Sequence, residues 1–317
     1  MSHPLIRPIY PCEPIKAIPK LALALGVGES LLLEIAARAN GMYRDVPITR
    51  NGKTRLTYDA IGELKKIQQL IQKKILARVK FPDYLQGSLK GRDYVTNAAL
   101  HTKKRIVTCE DVEKFFPSVR TELIVDIWKN FFHFSEDVAL LLAQLTTKDG
   151  AIPQGTSTSS YLANLALWRH EPGVQAKLAN MGIIYSRYVD DIAMSSATFL
   201  SKDKQGKAIA MVYAMLRIHG LSASRKKHES FSSKRHMIVT KLLVNKKPSL
   251  GRVKKLKIRS QVHHAVSLAI KYGAAHPESK IALDKAAQAV GQMGRFHASA
   301  AQSLKDKIRD VRKVDAK

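Results

Sequence analysis

The run GIIYSRYVDDIAMSS, residues 182–196, places Asp190 and Asp191 side by side within an otherwise apolar, strand-like segment. Burying adjacent carboxylates is costly unless a cation or hydrogen-bond donors neutralise them. Upstream, Asp111 follows the apolar stretch RIVTC much as Asp190 follows GIIYSRYV. Two strands that each end in carboxylate could bring three aspartates together. Such an all-oxygen donor set suits Mg²⁺, with Mn²⁺ as the alternative, rather than zinc. The chemistry it serves is phosphoryl transfer, which needs positioning and charge neutralisation more than a protein nucleophile. An isolated Asp-Asp pair is more often a polar hairpin turn, so the rest of the chain must decide.

Composition narrows the partner. Over 317 residues, 53 Lys and Arg stand against 26 Asp and Glu, a net charge of +27. That excess points to nucleic acid or an anionic membrane surface and by itself specifies no chemistry. The apolar run LALALGVGESLLLEIAA is interrupted by Gly26, Gly28 and Glu29 and reads as two short core helices rather than a membrane span, so no membrane partner is expected. Cys12 and Cys109 form neither a CxxC metal pair nor a disulfide framework. That usage suits a reducing compartment, and with no signal peptide evident the expected location is cytoplasmic. Neither GxxxxGK[ST] nor GxGxxG occurs, which removes the P-loop and dinucleotide folds.

The elements that would hold the aspartates follow from periodicity and turn chemistry. Residues 20–40 look helical, with Ser30 as a cap, and RNGK (50–53) marks a hairpin. Residues 62–79 carry apolar positions at helical spacing. A strand through Asp111 turns at Pro117, and helices are expected at 121–132 and at 136–146, the latter opened by Ser135. A Ser/Thr-rich loop feeds a further helix, a hairpin carries Asp190 and Asp191 at its tip, and a helix stops at Gly220. A second hairpin (HMIVTKLLVNKK) and basic helices from about 252 complete an α+β chain with a central sheet.

RYVDD resembles the YxDD box of reverse transcriptases, and the resemblance continues in order along the chain. EDVEKFFPS resembles that family's first aspartate motif, and IPQGTSTSSYLANL its PQGxxxSxxLAN box. HGLSASRKKH sits where the family has G-L-x-x-N-x-x-K-T. YVTNAALH and IVTKLLVN resemble the NAxxH and VTG elements of the retron branch. The markers span residues 44 to about 300, and six in order overturn the turn reading of Asp190-Asp191. The chain is therefore identified as resembling the bacterial retron-type reverse transcriptases. It departs from their pattern at Val189 (YVDD for YADD), at Ser224 and His228, at Lys241 in place of the VTG glycine, and at Tyr161, where a proline is common.

The resemblance implies a right-hand polymerase with fingers, palm (antiparallel sheet plus helices) and helical thumb. It divides the chain into an N-terminal helical segment (1–45), part of the fingers (46–105), a palm with interleaved fingers elements (106–250) and a basic helical thumb (251–317). Asp111 and Asp190 would ligate Mg²⁺ together with Val112, with Asp191 in support. Lys227 would protonate the pyrophosphate leaving group. Lys53 and Arg55 would clamp the triphosphate, although exposed hairpin cations are usually just solvated. Phe116, beside Phe115, falls at the steric gate that excludes a 2′-OH; an FF pair is as often simply core. Gln154 and Gly155 would line the nucleotide pocket, and Tyr188 and Val189 would contact the primer end. His101 is assigned no chemistry.

The partners implied are dNTPs, a cognate structured non-coding RNA that serves as template and primer, its RNA–DNA product, and an effector or toxin protein. The implied activity is synthesis of a branched RNA–DNA hybrid (msDNA) from an internal guanosine 2′-OH, in phage defence. A group II intron-like or other bacterial reverse transcriptase is the alternative among enzymes. An RNA-binding scaffold with a vestigial polymerase site is the alternative outside them.

Overall fold

The computed structural model describes residues 5–50 and 52–314 of the chain, leaving aside the side chains of Arg50, Lys53 and Val314. Its N-terminal part is helical, and the two short helices expected within 20–40 are α1 (Ile18–Leu25) and α2 (Glu29–Arg38). Gly26 takes φ +70 between them, a conformation that ends α1. The residue capping α2 is Gly28 rather than Ser30, which lies inside the helix. A two-stranded antiparallel ribbon follows, β1 (Tyr43–Arg50) and β2 (Lys53–Ala60), joined where the Asn-Gly signal placed the turn; Asn51 itself lies outside the described residues. Helices α3 (Gly62–Lys74) and α4 (Tyr94–Leu100) lead on, α4 opened by a reciprocal capping box between Asp93 and Thr96.

The centre is a four-stranded antiparallel sheet in the order β4-β5-β3-β6, comprising β3 (Ile106–Asp111), β4 (Ile184–Tyr188), β5 (Asp191–Ser196) and β6 (Glu229–Ser232). Between β3 and β4 lie α5 (Phe115–Ser118), α6 (Thr121–Asp126), α7 (Glu136–Thr146), α8 (Ser159–Leu165) and α9 (Glu171–Asn180). The helix expected over 121–132 leaves α-geometry after Asp126 and finishes as a wider π turn, Ile127–Phe131. The widening goes with the burial of Ile127, Trp128 and Phe131 together. Residues 136–146 form α7 with the expected bounds, and Ser135 precedes it. α10 (Lys202–Ile218) ends before Gly220, and a short ribbon, β7 (Ile238–Val239) and β8 (Leu242–Leu243), follows β6. Three helices close the chain: α11 (Arg252–Tyr272), α12 (Pro277–Gly294) and α13 (Ala298–Val314).

The core comes in two parts. One runs from α1 through α10 and one face of the sheet; the other joins β7, β8 and the last three helices to Ala98, Val107 and Ala193. The α+β expectation, with a central antiparallel sheet and terminal helices, is met. Among the described residues, no helix is long and apolar enough to cross a membrane.

One buried group links sheet and helix. His101, 0 % exposed, lies with Nδ1 2.7 Å from Ser195 Oγ and Nε2 2.8 Å from Ser186 Oγ. Burial, aided by Lys104, pushes its pKa down from 6.5 to about 3. The ring is therefore neutral in the fold, while an unfolded chain protonates it below about 6.5. Its contribution to stability is complete above that pH and falls by about 1.4 kcal/mol per unit as the pH drops towards 3. Urea unfolding between pH 6.5 and 4.5 is expected to show a steeper loss for the wild type than for His101→Asn; equal slopes would contradict this assignment.

Candidate active site

Asp111 closes β3 and Asp191 opens β5, and register places them directly opposite one another. Like charges in a cross-strand pair repel, so this junction is retained against its own electrostatics. Asp190 belongs to the two-residue turn between β4 and β5, and its carbonyl accepts from the Val112 N–H at 3.0 Å. Burial pushes the Asp190 carboxyl above the usual range and Asp111 adds to this, while Lys227 and Arg55 oppose it. Asp191 is pushed up to about 6, by burial first and then by Asp190 and Asp111; Lys241 and Lys227 act against the rise. Two adjacent carboxylates whose proton affinity is raised by burial and by neighbouring charge, close to a third at the end of β3, favour a cation.

The turn that carries them is strained. Val189, its first residue, takes φ +60, which β-branched residues avoid and which a two-residue hairpin turn demands at that position. Two contacts hold it there. Arg187, 0 % exposed, donates through Nη1 to the Val189 carbonyl at 3.1 Å. Gly87 lies flat against the turn: a Cβ at position 87 would come within 2.4 Å of both the Val189 nitrogen and Cγ2. Overpacking of this kind costs about 1–3 kcal/mol, and here the displaced atoms carry Asp190. Gly87→Ala is expected to reduce activity at least ~10-fold, more than its modest effect on the unfolding midpoint would account for. Full activity in the variant would show that the turn tolerates movement.

A cavity of about 670 Å³ opens beside the turn, lined by Asp111, Val112, Phe115, Phe116, Gln154, Asp190, Arg55 and Lys227 among others. Sequence-predicted residues from distant segments thus meet on one wall. Lys227 donates to Asp111 Oδ1 at 2.7 Å, an ammonium standing where a cation is called for. Phe115 is only 2 % exposed, edge-on to Phe116 at 6.0 Å, so Phe116 is the more open ring of the two. Gln154 lines the cavity, whereas Gly155, with φ +116, is packed against protein: a Cβ there would lie 2.7 Å from the Tyr58 carbonyl oxygen. The Gln154 carbonyl also accepts from the Tyr58 N–H at 2.8 Å, joining the PQG loop to β2. Arg55 on β2 is exposed and lines the cavity; the Lys53 side chain lies outside the described residues. Tyr188 pairs with Asp191 across the hairpin and is half-buried.

No group of three or more His, Cys, Asp and Glu side chains that could hold a metal ion occurs among the described residues. Asp111 and Asp190 line the large cavity, whereas Asp191 faces a second one. The residues nevertheless fit a divalent cation: the donors are carboxylate oxygens, burial first and then neighbouring carboxylates raise the proton affinity of Asp190 and Asp191, and the Lys227 ammonium already partners Asp111.

Three supporting residues gave no signal in the sequence. Glu171, 1 % exposed, accepts from Arg187 Nε at 2.6 Å and Nη2 at 2.8 Å, and from the Tyr185 hydroxyl at 2.7 Å. Burial opposes the Arg187 charge, but Glu171 outweighs it and the guanidinium pKa is raised. Glu110, 2 % exposed, accepts from the Tyr213 hydroxyl at 2.9 Å and lies 2.7 Å from His228 Nδ1, tying the loop that bears Lys227 to the strand that bears Asp111.

The family model described as reverse transcriptase (RNA-dependent DNA polymerase) matches residues 47–260. The retron Se72 reverse transcriptase of Salmonella heidelberg (strain 579083-10) is 36% identical over 223 residues, which covers 70% of this chain and 59% of that protein. The retron Ec48 reverse transcriptase of Escherichia coli is 26% identical over 324 residues (96% and 78%), and the retron Ec86 reverse transcriptase of the same species is 26% identical over 230 (71% and 71%). The resemblance read from the motifs, to bacterial retron-type reverse transcriptases, holds against these relatives, and the α+β architecture accords with a right-hand polymerase. With its sheet, its carboxylate junction and the PQG loop all inside the matched segment, the chain belongs to the reverse transcriptase (RNA-dependent DNA polymerase) family.

Proposed function

We propose that the chain is the RNA-directed DNA polymerase of a retron, copying a cognate structured RNA into a branched RNA–DNA hybrid from an internal guanosine 2′-OH. The observation that carries the polymerase reading is the pairing of Asp111 and Asp190 on the wall of one cavity with Gln154, Phe116, Arg55 and Lys227. Its retron refinement is supported by the three relatives. In this reading β1–β2 belongs to the fingers (46–105), the four-stranded sheet to the palm (106–250) and α11–α13 to the thumb (251–317), following the N-terminal helices (1–45).

Asp111 and Asp190, with Val112 beside them and Asp191 in support, would hold Mg²⁺ or Mn²⁺. Bound there, the ion would lower the pKa of the attacking hydroxyl and neutralise the leaving oxygens. The chain's own residues do the rest. Arg55, with Lys53, binds the triphosphate of the incoming dNTP, and Gln154 fixes its orientation. Gly155 sets the loop that presents Gln154. Phe116, set against Phe115, underlies the sugar and excludes a 2′-OH. Tyr188 and Val189 abut the primer end. Lys227 carries a proton at Nζ that it can pass to the leaving pyrophosphate.

The basic excess suits RNA and its hybrid product, gripped through phosphates. An effector protein held by the polymerase–hybrid complex, and a cytoplasmic role in phage defence, complete the proposal. The test is the nucleic acid that copurifies with the protein. A branched RNA–DNA species is expected; bulk tRNA or rRNA alone would count against the retron reading.

A further inference from the structure

The box IPQGTSTSSYLANL supplies Gln154 and Gly155 to the reading above and leaves its asparagine, Asn164, without a task. Asn164 lies near the end of α8, is 0 % exposed and lines neither of the two cavities described above. Its Nδ2 donates to the Gly87 carbonyl at 2.8 Å, while its Oδ1 has no hydrogen-bond partner among the described residues. A buried acceptor left unpaired costs stability, and an apolar side chain would avoid that cost. The donor, rather than the packing, is what this amide contributes.

That donor holds one side of the turn that carries Asp190. The segment Tyr84–Gly87 runs beside β4: the Arg187 N–H donates to the Tyr84 carbonyl and the Gln86 N–H to the Arg187 carbonyl, each at 2.8 Å. Upstream, the Arg92 guanidinium collects the carbonyls of Phe81, Pro82 and Leu85. Beyond Gln86 that support ends, and Gly87, flat against the Val189 nitrogen and Cγ2, is fixed through its carbonyl by Asn164. The same residue reaches the other side of the turn. Its backbone carbonyl accepts from Arg187 Nη2 at 2.9 Å, and Arg187 Nη1 supports the Val189 carbonyl. α8 is itself anchored at its start, where Ser159 Oγ donates to the Pro153 carbonyl beside Gln154. One short helix thus joins the loop that bears Gln154 to the turn that bears Asp190.

We propose that Asn164 is a positioning residue for the polymerase reaction: it touches no substrate and sets the place of Asp190 by holding Gly87 and Arg187 on either side of Val189. The proposal rests on the polymerase reading and adds to it a residue that acts from behind the site.

Single-turnover extension of a primer on an RNA template, with dNTP varied, tests it, because the rate constant does not depend on what fraction of the protein is folded. Asn164→Ala is expected to lower the maximal rate constant about tenfold and to leave the dNTP concentration at half-maximal rate unchanged. This loss should not multiply with that of Gly87→Ala, since both act through one contact; the double variant is expected within about threefold of the slower single variant. Asn164→Ser, whose hydroxyl a water can bridge to the Gly87 carbonyl, serves if the alanine variant does not fold, with the same dNTP dependence and a smaller loss. An unchanged rate constant with a smaller amplitude would make Asn164 structural only and overturn the proposal. A raised half-saturating dNTP concentration, or losses that multiply in the double variant, would overturn it too and leave the polymerase reading standing. A wild type that binds duplex and extends nothing would overturn that reading, and this proposal with it.

Discussion

Asp190→Asn and Asp111→Asn are each expected to abolish RNA-templated extension while leaving the fold intact. Both residues border the large cavity, at a strand end and in a turn, and Asn fits the same space. At Asp190 the substitution removes a charge that burial and Asp111 already oppose, so stability should hold or rise slightly, while at Asp111 it gives up the ion pair with Lys227, a surface-type pair of small worth. What would be lost, on the proposed function, is the anionic oxygen set that would hold the cation. Removal of a single preorganised electrostatic group in an active site costs about 10²–10³-fold in rate, and loss of a metal ligand is expected to exceed the upper figure. Asp191→Asn, on a carboxylate that faces the other cavity, should be milder. Rates from single-turnover extension, with circular dichroism to establish folding, decide the matter. Comparable losses at all three positions would mean that the carboxylates act as one cluster.

Arg187→Met is expected to be the most damaging single change to stability outside the apolar core. Arg187 and Glu171 are 0 % and 1 % exposed, and their two-pronged pairing leaves neither charge in contact with water. Removing one partner strands the other, at a cost of about 3–5 kcal/mol. The same change deletes the donor to the Val189 carbonyl, so residual activity should fall further than the folded fraction does. Arg187→Met combined with Glu171→Leu should regain much of the stability, because a buried ion pair contributes little beyond a well-packed apolar pair. It should not regain the activity, since the turn has still lost its support. Urea denaturation of the single and double variants measures the first part and extension assays the second. A single-variant loss below about 1 kcal/mol would show that the pair is not as dry as its burial implies.

The reach of the sequence differs between site and scaffold for physical reasons. Asp111, Asp190, Gln154, Phe116 and Lys227 were legible because each sits in a short linear pattern, and the fold has only to bring the patterns together. Helix 136–146 was legible because its cap and apolar spacing agree. The supports were not legible, because what defines them is contact between distant segments. Arg187 looks like any strand arginine until Glu171 is found beneath it, and Gly87 carries no pattern until Val189 is found against it. The two short helices of 20–40 were legible from the glycine break in the apolar run, where Gly26 takes left-handed backbone, but the Ser30 cap was misplaced, since Gly28 precedes the second helix. The neighbour of Gly155 was not legible, because only the structure brings Tyr58 there. Val189, legible as a departure from the motif, acquires a cost: a β-branched residue held at φ +60.

The central claim is that Asp111 and Asp190 make this chain a polymerase that copies RNA into DNA. Incorporation of labelled dNMP into a primer annealed to an RNA template, with Mg²⁺ and all four dNTPs, tests it most directly. The account predicts extension by the wild type that is lost in Asp190→Asn. No extension by the wild type, or undiminished extension by Asp190→Asn, would contradict it.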